Sequence, residues 1–430
     1  MNPSAAHPHV PAEPAASLPA DDHRRLGHEL DLFASDPLLP VGMPIWLPNG
    51  AIVRSVLERY IVDAERDSGY AHVYSPPLGR KAMYEISGHW DHFAEAMFPP
   101  IGDGAEQVVL RPMNCPHHIV AYRCRPRSWR DLPLRIAELG AMFRNEPSGS
   151  LSGLSRVRAM VLNDAHHFLD PARIAEEVAL VISMIEAAYA DLGLSGHHYR
   201  LSLRGDGAKY VADPGLWDRA EAALAGALDD LGVGYEPVRG EAAFYGPKID
   251  VQVPGRGGRE ESFSSVQLDF HLPERFNLSY AGAGGPGRPV MLHRSVLSSM
   301  ERCLSFLLEQ HAGNLPVWLA PVQVVVLPVN PSDGDQRRAV DEVSRAARAA
   351  GLRSEVDAAD EPLGSRVRKA RLRRVPYRVV VGDREAGSGK VAVSLRSGRA
   401  LEPMPVARFV AGAAGVASRR SQDLWGSHSD

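Results

Sequence analysis

Three residues of this chain have the chemistry to share one metal ion. Cys115, His166 and His293 stand in the short contexts PMNCPHH, NDAHHF and MLHRS. One thiolate and two imidazoles give zinc three protein ligands and leave a fourth position open, the pattern of a catalytic or substrate-binding site. No spacing rule joins them, and the chain holds 17 histidines. A buried thiol and two ordinary histidines would satisfy the same letters. A second group is Arg144 and Glu146, followed by Pro147-Ser148-Gly149-Ser150. Two apart on a strand, the pair shares a face. Arg144 could then grip a phosphate or carboxylate through two bonds, and Glu146 could accept from an amino group such as that of adenine. Arg156 and Arg158 come next, again same-face if extended; a salt-bridged surface hairpin is the plainer alternative. The third group is Ser299-Met300-Glu301-Arg302, opening a helix whose apolar face continues through Leu304, Leu307 and Leu308. An arginine there can lie over a base or bind a terminal phosphate, or be no more than a surface side chain.

These residues need elements to hold them. Residues 21–33 read as a short helix with Asp21 or Asp22 as its cap and Leu26, Leu30 and Phe33 on one face. Residues 51–65 repeat the pattern with Ile52, Val56, Leu57 and Tyr60. An extended stretch runs into Pro76-Pro77. Residues 175–192 and 216–231 are further helices. The apolar strand candidates 108–110, 249–253 and 266–270 are not followed regularly by helices. This predicts an α+β domain with a mainly antiparallel sheet. After Trp318 the pattern changes to strand 322–329, helix 335–350, strand 353–357, basic helix 364–373 and strand 377–381, a small α/β module of about 100 residues. Residues 1–20 are rich in Ala and Pro and predict a disordered leader. The tail from Ser418 is polar and is expected to fray.

Composition narrows the class. The 430 residues are 44% hydrophobic and 23% charged, ordinary for a globular chain of two or three domains. Three cysteines give no disulfide framework and fit a reducing compartment. No apolar run reaches membrane-spanning length; residues 317–329 are broken by Pro321, Gln323 and Pro328. The net charge of −4 hides an asymmetry. Residues 322–420 hold 19 Lys+Arg against 11 Asp+Glu, a local +8, which leaves −12 for the rest. A basic module on an acidic body suits a polyanionic partner, though a solvated basic helix face would give the same count.

Long stretches of the chain resemble the class II aminoacyl-tRNA synthetases, and within them the threonyl-tRNA synthetase family. The likeness runs from near Asp22 to about residue 412. It is carried by DHRRLGHELDLF (22–33), GHWDHFAEAMF (88–98), RPMNCPHH (111–118), RDLPLRIAELG (130–140), FRNEPSGSLSGLSRVR (143–158), NDAHHF (163–168), LWDRAEAAL (216–224), FYGPKID (244–250), VQLDF (266–270), PVMLHRSVLSSMER (289–302), WLAPVQVVV (318–326) and GSGKVAV (387–393). So many ordered matches outweigh the plainer alternatives at each site. The resemblance implies a class II antiparallel sheet flanked by helices over residues 21–316. It implies an α/β anticodon-binding domain over 317–415, a polar tail over 416–430, and a cytoplasmic homodimer built through the segment ending at Pro76.

It also implies roles. Arg144 would bind the α-phosphate of ATP and the amino-acid carboxylate. Glu146 would read adenine, Met160 would lie against it, and Arg156 and Arg302 would hold the β- and γ-phosphates with Mg²⁺. The threonine carboxylate attacks the α-phosphorus in line, pyrophosphate leaves, and the threonyl group passes to tRNA(Thr). Zinc on Cys115, His166 and His293 would take the amino and hydroxyl groups of L-threonine, which rejects valine. Asp164 would pair with the ammonium, Met113, Tyr245, Lys248, Gln267 and Ser299 would complete the pocket, and Arg368 and Glu385 would read the anticodon.

The chain also departs from the family. Members commonly carry a long N-terminal region with an editing domain; here about 20 residues precede the core. The expectation is mischarging with serine and no correction in cis. Where the family reads Gly-Phe-Thr-Gln-Asp-Asp-Ala-His, this chain has Ala159-Met160-Val161-Leu162-Asn163-Asp164-Ala165-His166. Met160 replaces an aromatic, Leu162 a Gln, His117 a Gly and His271 a small residue. These changes suggest an inhibitor-tolerant second copy that confers self-resistance; neutral drift or a distinct tRNA set are the alternatives. A silent paralogue that binds tRNA or amino acid as a regulator is a reading of another class, against which stand the retained arginines and ligands.

Overall fold

A computed structural model describes residues 17–426, except 208, 256, 257 and 259. The chain opens on helix α1 (His23–Glu29), whose first turn is closed by Asp22 accepting from the amide of Arg24. Most of the expected leader, residues 1–16, lies outside the described residues; Leu18 is buried. Helix α2 (Pro48–Asp67) buries Val53, Leu57, Tyr60 and Ile61 along one stripe, with proline in its first turn where no amide bond is lost.

Eight strands form the main sheet. They are β1 (Ala71–His72), β2 (Leu134–Phe143), β3 (Ala159–Leu169), β4 (His198–Leu203), β5 (Tyr235–Arg239), β6 (Lys248–Pro254), β7 (Glu260–Asp269) and β8 (Val290–Ser295). Their spatial order is β1-β2-β3-β8-β7-β6-β4-β5. The six central strands are antiparallel, and only the two edge pairings are parallel. That is the α+β class expected from strands without regular crossover helices. Strand 108–110 forms as expected but pairs with Leu78–Arg80 in a separate two-stranded sheet. Helices α3 (Cys115–Arg123), α4 (Ile174–Leu192), α5 (Pro214–Asp230) and α6 (Met300–Gln310) complete this unit. The main core joins α4 (Val178, Val181, Ile185, Leu192) and α5 (Leu224, Leu228) to Val251, Val266 and Leu292 of the sheet and to Leu304 and Leu307 of α6.

The second unit alternates β9 (Val324–Pro328), α7 (Gly334–Ala349), β10 (Ser354–Val356), α8 (Leu363–Leu372), β11 (Tyr377–Val381), α9 (Asp383–Ser388), β12 (Lys390–Leu395), β13 (Met404–Pro405) and α10 (Val406–Ser418). Sheet order is β10-β9-β11-β12-β13, parallel among the first three and antiparallel beyond. Its core has its own residues, among them Val324, Val340, Tyr377, Val393 and Phe409.

Two expectations need correction. The strand through Arg144 and Glu146 stops at Phe143. Beyond it the Arg144 amide bonds to the Arg158 carbonyl, outside the β2–β3 ladder, and Pro147 has no amide to donate. The tail does not fray within its described part. Trp425 stacks on Phe409 at 6.2 Å, and the Tyr377 hydroxyl donates to the Leu424 carbonyl at 2.7 Å. An aromatic ring with an apolar groove beside it outweighs the polar letters around it. Residues 427–430 lie outside the described residues. Among the described residues no helix is long and apolar enough to cross a membrane.

The candidate metal centre and its pocket

Register brings the two histidines together. On adjacent strands β3 and β8, His166 is the direct cross-strand partner of His293, and their rings stand 4.6 Å apart. Cys115 begins α3, which Asn114 precedes and Pro116 stiffens. Asn114 fits because Gly140 on β2 leaves room: a Cβ there would lie 2.2 Å from the Asn114 amide nitrogen. The Cys115 sulfur and one nitrogen from each histidine lie within 4.8 Å of one another, and all three residues are buried.

The surrounding bonds set the tautomers. His118 Nε2 lies 3.2 Å from Glu138 Oε2, and its Nδ1 lies 2.8 Å from His166 Nδ1. If His118 donates to the carboxylate, its Nδ1 must accept, so His166 donates from Nδ1. The lone pair of His166 then sits on Nε2, a buried atom with no partner among the described residues. Asp269 Oδ2 holds His293 Nε2 at 2.9 Å, which leaves the His293 lone pair on Nδ1. His293 thus has a carboxylate directly behind it, and His166 has one at second hand, Glu138 acting through His118; outer partners of this kind are the usual support of a metal site. Burial drives the His166 pKa well down, so the ring stays neutral, as a ligand must be. Burial, with Asp164 and Asp269 nearby, pushes the Cys115 thiol well up, and a bound cation would reverse that push. One sulfur and two oriented nitrogens, one of them orphaned in a dry interior, fit zinc.

Sequence reasoning did not single out His118, Glu138 or Asp269. His118 carried a signal: it stands three residues after Cys115, one helical turn along. Asp269 directs one oxygen to His293 and the other to the amides of His271 and Leu272, so it also starts the short helix 271–275.

The pocket extends from this centre. The Tyr245 ring stacks on His293 at 5.0 Å, and its hydroxyl donates to Gln267 Oε1 at 2.7 Å. Gln267 faces His293 on β8 and Lys248 on β6, and the Lys248 ammonium pairs with Asp250 at 2.7 Å. Asp164 lies on β3, two residues before His166, and burial lifts its carboxyl to about 7. Met113 is half-buried just before α3. Arg144 is half-buried, its Nε has no partner among the described residues, and burial lowers its pKa. The Glu146 carboxylate holds Arg156 at 2.7 Å, and the Glu146 carbonyl accepts from Arg158 Nε at 2.8 Å. Arg156 closes a turn with Ser152 and β3 begins only at Ala159, so these two arginines precede the strand and are not part of it, though both reach Glu146. Met160 faces Met142 across the β2–β3 ladder. Ser299 caps α6 by accepting from the Arg302 amide at 3.1 Å, and Glu301 accepts from the Val161 amide on β3 at 3.0 Å. Arg302 reaches from the first turn of α6 to Glu261 at 3.5 Å. In the second unit Arg368 is exposed on α8, and the Glu385 carboxylate accepts from the Gly382 amide at 2.9 Å.

This fold and site define a class. A family model for the class II tRNA synthetase core domain (G, H, P, S and T) matches residues 99–311, and one for an anticodon binding domain matches 323–414. The chain is a class II aminoacyl-tRNA synthetase core with an anticodon-binding domain behind it. A crystal structure described as the RNA binding domain of threonyl-tRNA synthetase from Cryptosporidium parvum Iowa II is 33% identical, with a TM-score of 0.83 over 93% of this chain and 98% of that one. Threonine--tRNA ligase of Anoxybacillus flavithermus is 50% identical over 392 residues, and threonine--tRNA ligase 1 of Bacillus subtilis 51% over 393; each alignment covers 90% of this chain and 61% of the relative. The chain belongs to the threonyl-tRNA synthetase family. It spans about three-fifths of the length of those curated relatives.

Proposed function

We propose that this chain is a threonine--tRNA ligase that joins L-threonine to tRNA(Thr) through threonyl-adenylate. The observation that supports it most is the convergence of Cys115, His166 and His293 with oriented lone pairs beside Asp164. Zinc held by these three would supply open coordination positions for the amino and hydroxyl groups of threonine. A site built to bind a hydroxyl rejects an analogue without one by orders of magnitude, whereas one methyl decides only ~1–3 kcal/mol. Asp164 accepts hydrogen bonds from that same amino group, whose lone pair goes to the metal. Met113, Tyr245, Lys248, Gln267 and Ser299 shape the rest of the amino-acid pocket. Arg144 takes the threonine carboxylate and the α-phosphate, and its guanidinium neutralises charge as in-line attack proceeds. Arg156 and Arg302 would exchange Glu146 and Glu261 for the β- and γ-phosphates, whose remaining charge Mg²⁺ would offset, and this frees Glu146 for the adenine amino group. Little bond-making falls to the protein; holding the reactants in line supplies much of the acceleration.

Threonine-dependent pyrophosphate exchange, run before and after zinc chelation, tests this. Exchange with threonine and not valine, lost on chelation and restored by zinc, is expected. A chain that exchanges with neither amino acid would end the reading. Serine keeps both zinc-binding groups, so the 430 residues assayed as they stand are expected to form seryl-tRNA that persists.

Residues 21–316 are read as the catalytic domain and 317–415 as the anticodon-binding domain, with Arg368 and Glu385 toward the anticodon. Leu38 and Tyr74, 93% and 97% exposed, support a homodimer through the segment ending at Pro76. Free cysteines suit a cytoplasmic setting. The tolerance of an inhibitor rests on Met160, Leu162, His117 and His271. Of these, His117 is buried and held neutral, its pKa driven to about 4 by burial and by Arg111. Inhibition measured beside an ordinary family member would decide, and equal sensitivity would remove the idea.

A further inference from the structure

We propose that His23, far from the pocket in sequence, is a positioning residue that sets the ATP-phosphate arginines Arg156 and Arg302 relative to each other. This rests on the reading that those two arginines hold the phosphates. His23 is the first residue of α1 and is 3% exposed. Its Nδ1 lies 2.6 Å from Oε1 of Glu309, on α6, the helix that begins two residues before Arg302. Its Nε2 accepts from the amide of Leu154 at 3.2 Å. Leu154 is fully buried at the centre of a small turn in which Ser152 and Arg156 exchange backbone bonds at 3.2 and 3.3 Å. One imidazole thus ties the turn that presents Arg156 to the helix that presents Arg302.

The two bonds fix one tautomer. Nε2 accepts from an amide, so the proton sits on Nδ1 and is given to Glu309. Asp22, 4.0 Å away, is occupied in capping α1 and pairing with Arg24. Asp22, His23 and Glu309 lie close enough to share a cation, but the ring nitrogen that faces both carboxylates, Nδ1, carries the proton and has no lone pair for one. The turn is shaped around the ring. Gly153 has a φ of +48°, and a Cβ on it would lie 2.3 Å from His23 Nε2. Any side chain at 153 would push the imidazole away from Leu154.

Single replacements separate the two bonds. Asn at 23 can still donate to Glu309 but does not reach Leu154; Gln can offer an oxygen to the Leu154 amide. In the pyrophosphate exchange assay, H23A, H23N and G153A are expected to raise KM for ATP by about ten-fold or more, the worth of one buried hydrogen bond. KM for threonine stays within about two-fold, and H23Q recovers most of the ATP defect. Amide hydrogen exchange over residues 148–158 is read on the same proteins without substrate: faster in H23A and H23N, near wild type in H23Q. Unchanged exchange of that segment, or an unchanged KM for ATP in H23A, would overturn the proposal. So would equal rises in both KM values, which mark general loosening. A wild-type chain with no pyrophosphate exchange would instead fail the functional reading, and the amide measurement would still judge the His23 contact.

Discussion

At the level of single side chains, the candidate metal centre leans on residues outside its own ligand set. Asp269 and His118 hold the outer nitrogens of His293 and His166. Replacing Asp269 with Asn keeps size but removes the charge that orients the ring; zinc affinity, followed by competition with a chelator, is expected to fall ~10–100-fold. A deeper group behaves differently. Glu65, fully buried, accepts from Arg294 at 2.6 Å and from Asn163 at 2.7 Å. Burial opposes its charge, yet Arg294, His72 and Asn163 together hold its carboxyl below the usual range. Glu65→Gln strands the Arg294 guanidinium, and thermal or urea unfolding should register a loss of ~3–5 kcal/mol. The three candidate ligands were legible through the family resemblance of their contexts, since the local letters alone suited a buried thiol and two ordinary histidines equally well. Their supports were not, because Asp269 and Glu138 act through strand register and helix position, which no short window of letters contains.

At the level of elements, the long helices were readable from their apolar stripes, and α4 begins within one residue of its expected start. The turn after β2 was not, since whether Arg144 continues a strand depends on bonds to Arg158, twelve or more residues away. How α4 is held to the sheet carries a pH consequence. Glu177 on α4 pairs with Arg135 on β2 at 2.6 Å and with His167 on β3 at 2.8 Å. Burial raises its pKa, but those two partners win and hold it at about 2. A carboxyl lowered on folding stabilises fully above its unfolded range and progressively less as pH falls toward the folded value. Acid unfolding should therefore steepen below about pH 4.5, and Glu177→Gln should flatten that limb at a lower starting stability. If the variant and the parent lose stability in parallel between about pH 5 and 3, this clamp is not the source.

At the level of the whole molecule, the two units meet along a seam. Trp318 lies 5.1 Å from Tyr60 of α2 and donates to the Asp191 carbonyl of α4 at 3.1 Å. Arg420, beyond α10, covers Tyr60 at 4.7 Å and pairs with Asp191 at 3.0 Å. Gln422 adds a bond to the Asp191 carbonyl at 3.0 Å. Removing the Trp425 ring should destabilise the second unit by ~1–3 kcal/mol, and calorimetry is expected to show one melting transition in the parent and two in the variant. The seam also bears on anyone wishing to produce the sheet unit alone. A stop codon at 317 would discard Trp318, Arg420 and Gln422 together. Tyr60 would be left as a bare greasy scar and the Asp191 carbonyl without its donors on Trp318 and Gln422. Such a fragment is a candidate for clumping in the test tube, and a soluble version would need polar replacements designed along that scar before any kinetic comparison with the intact chain.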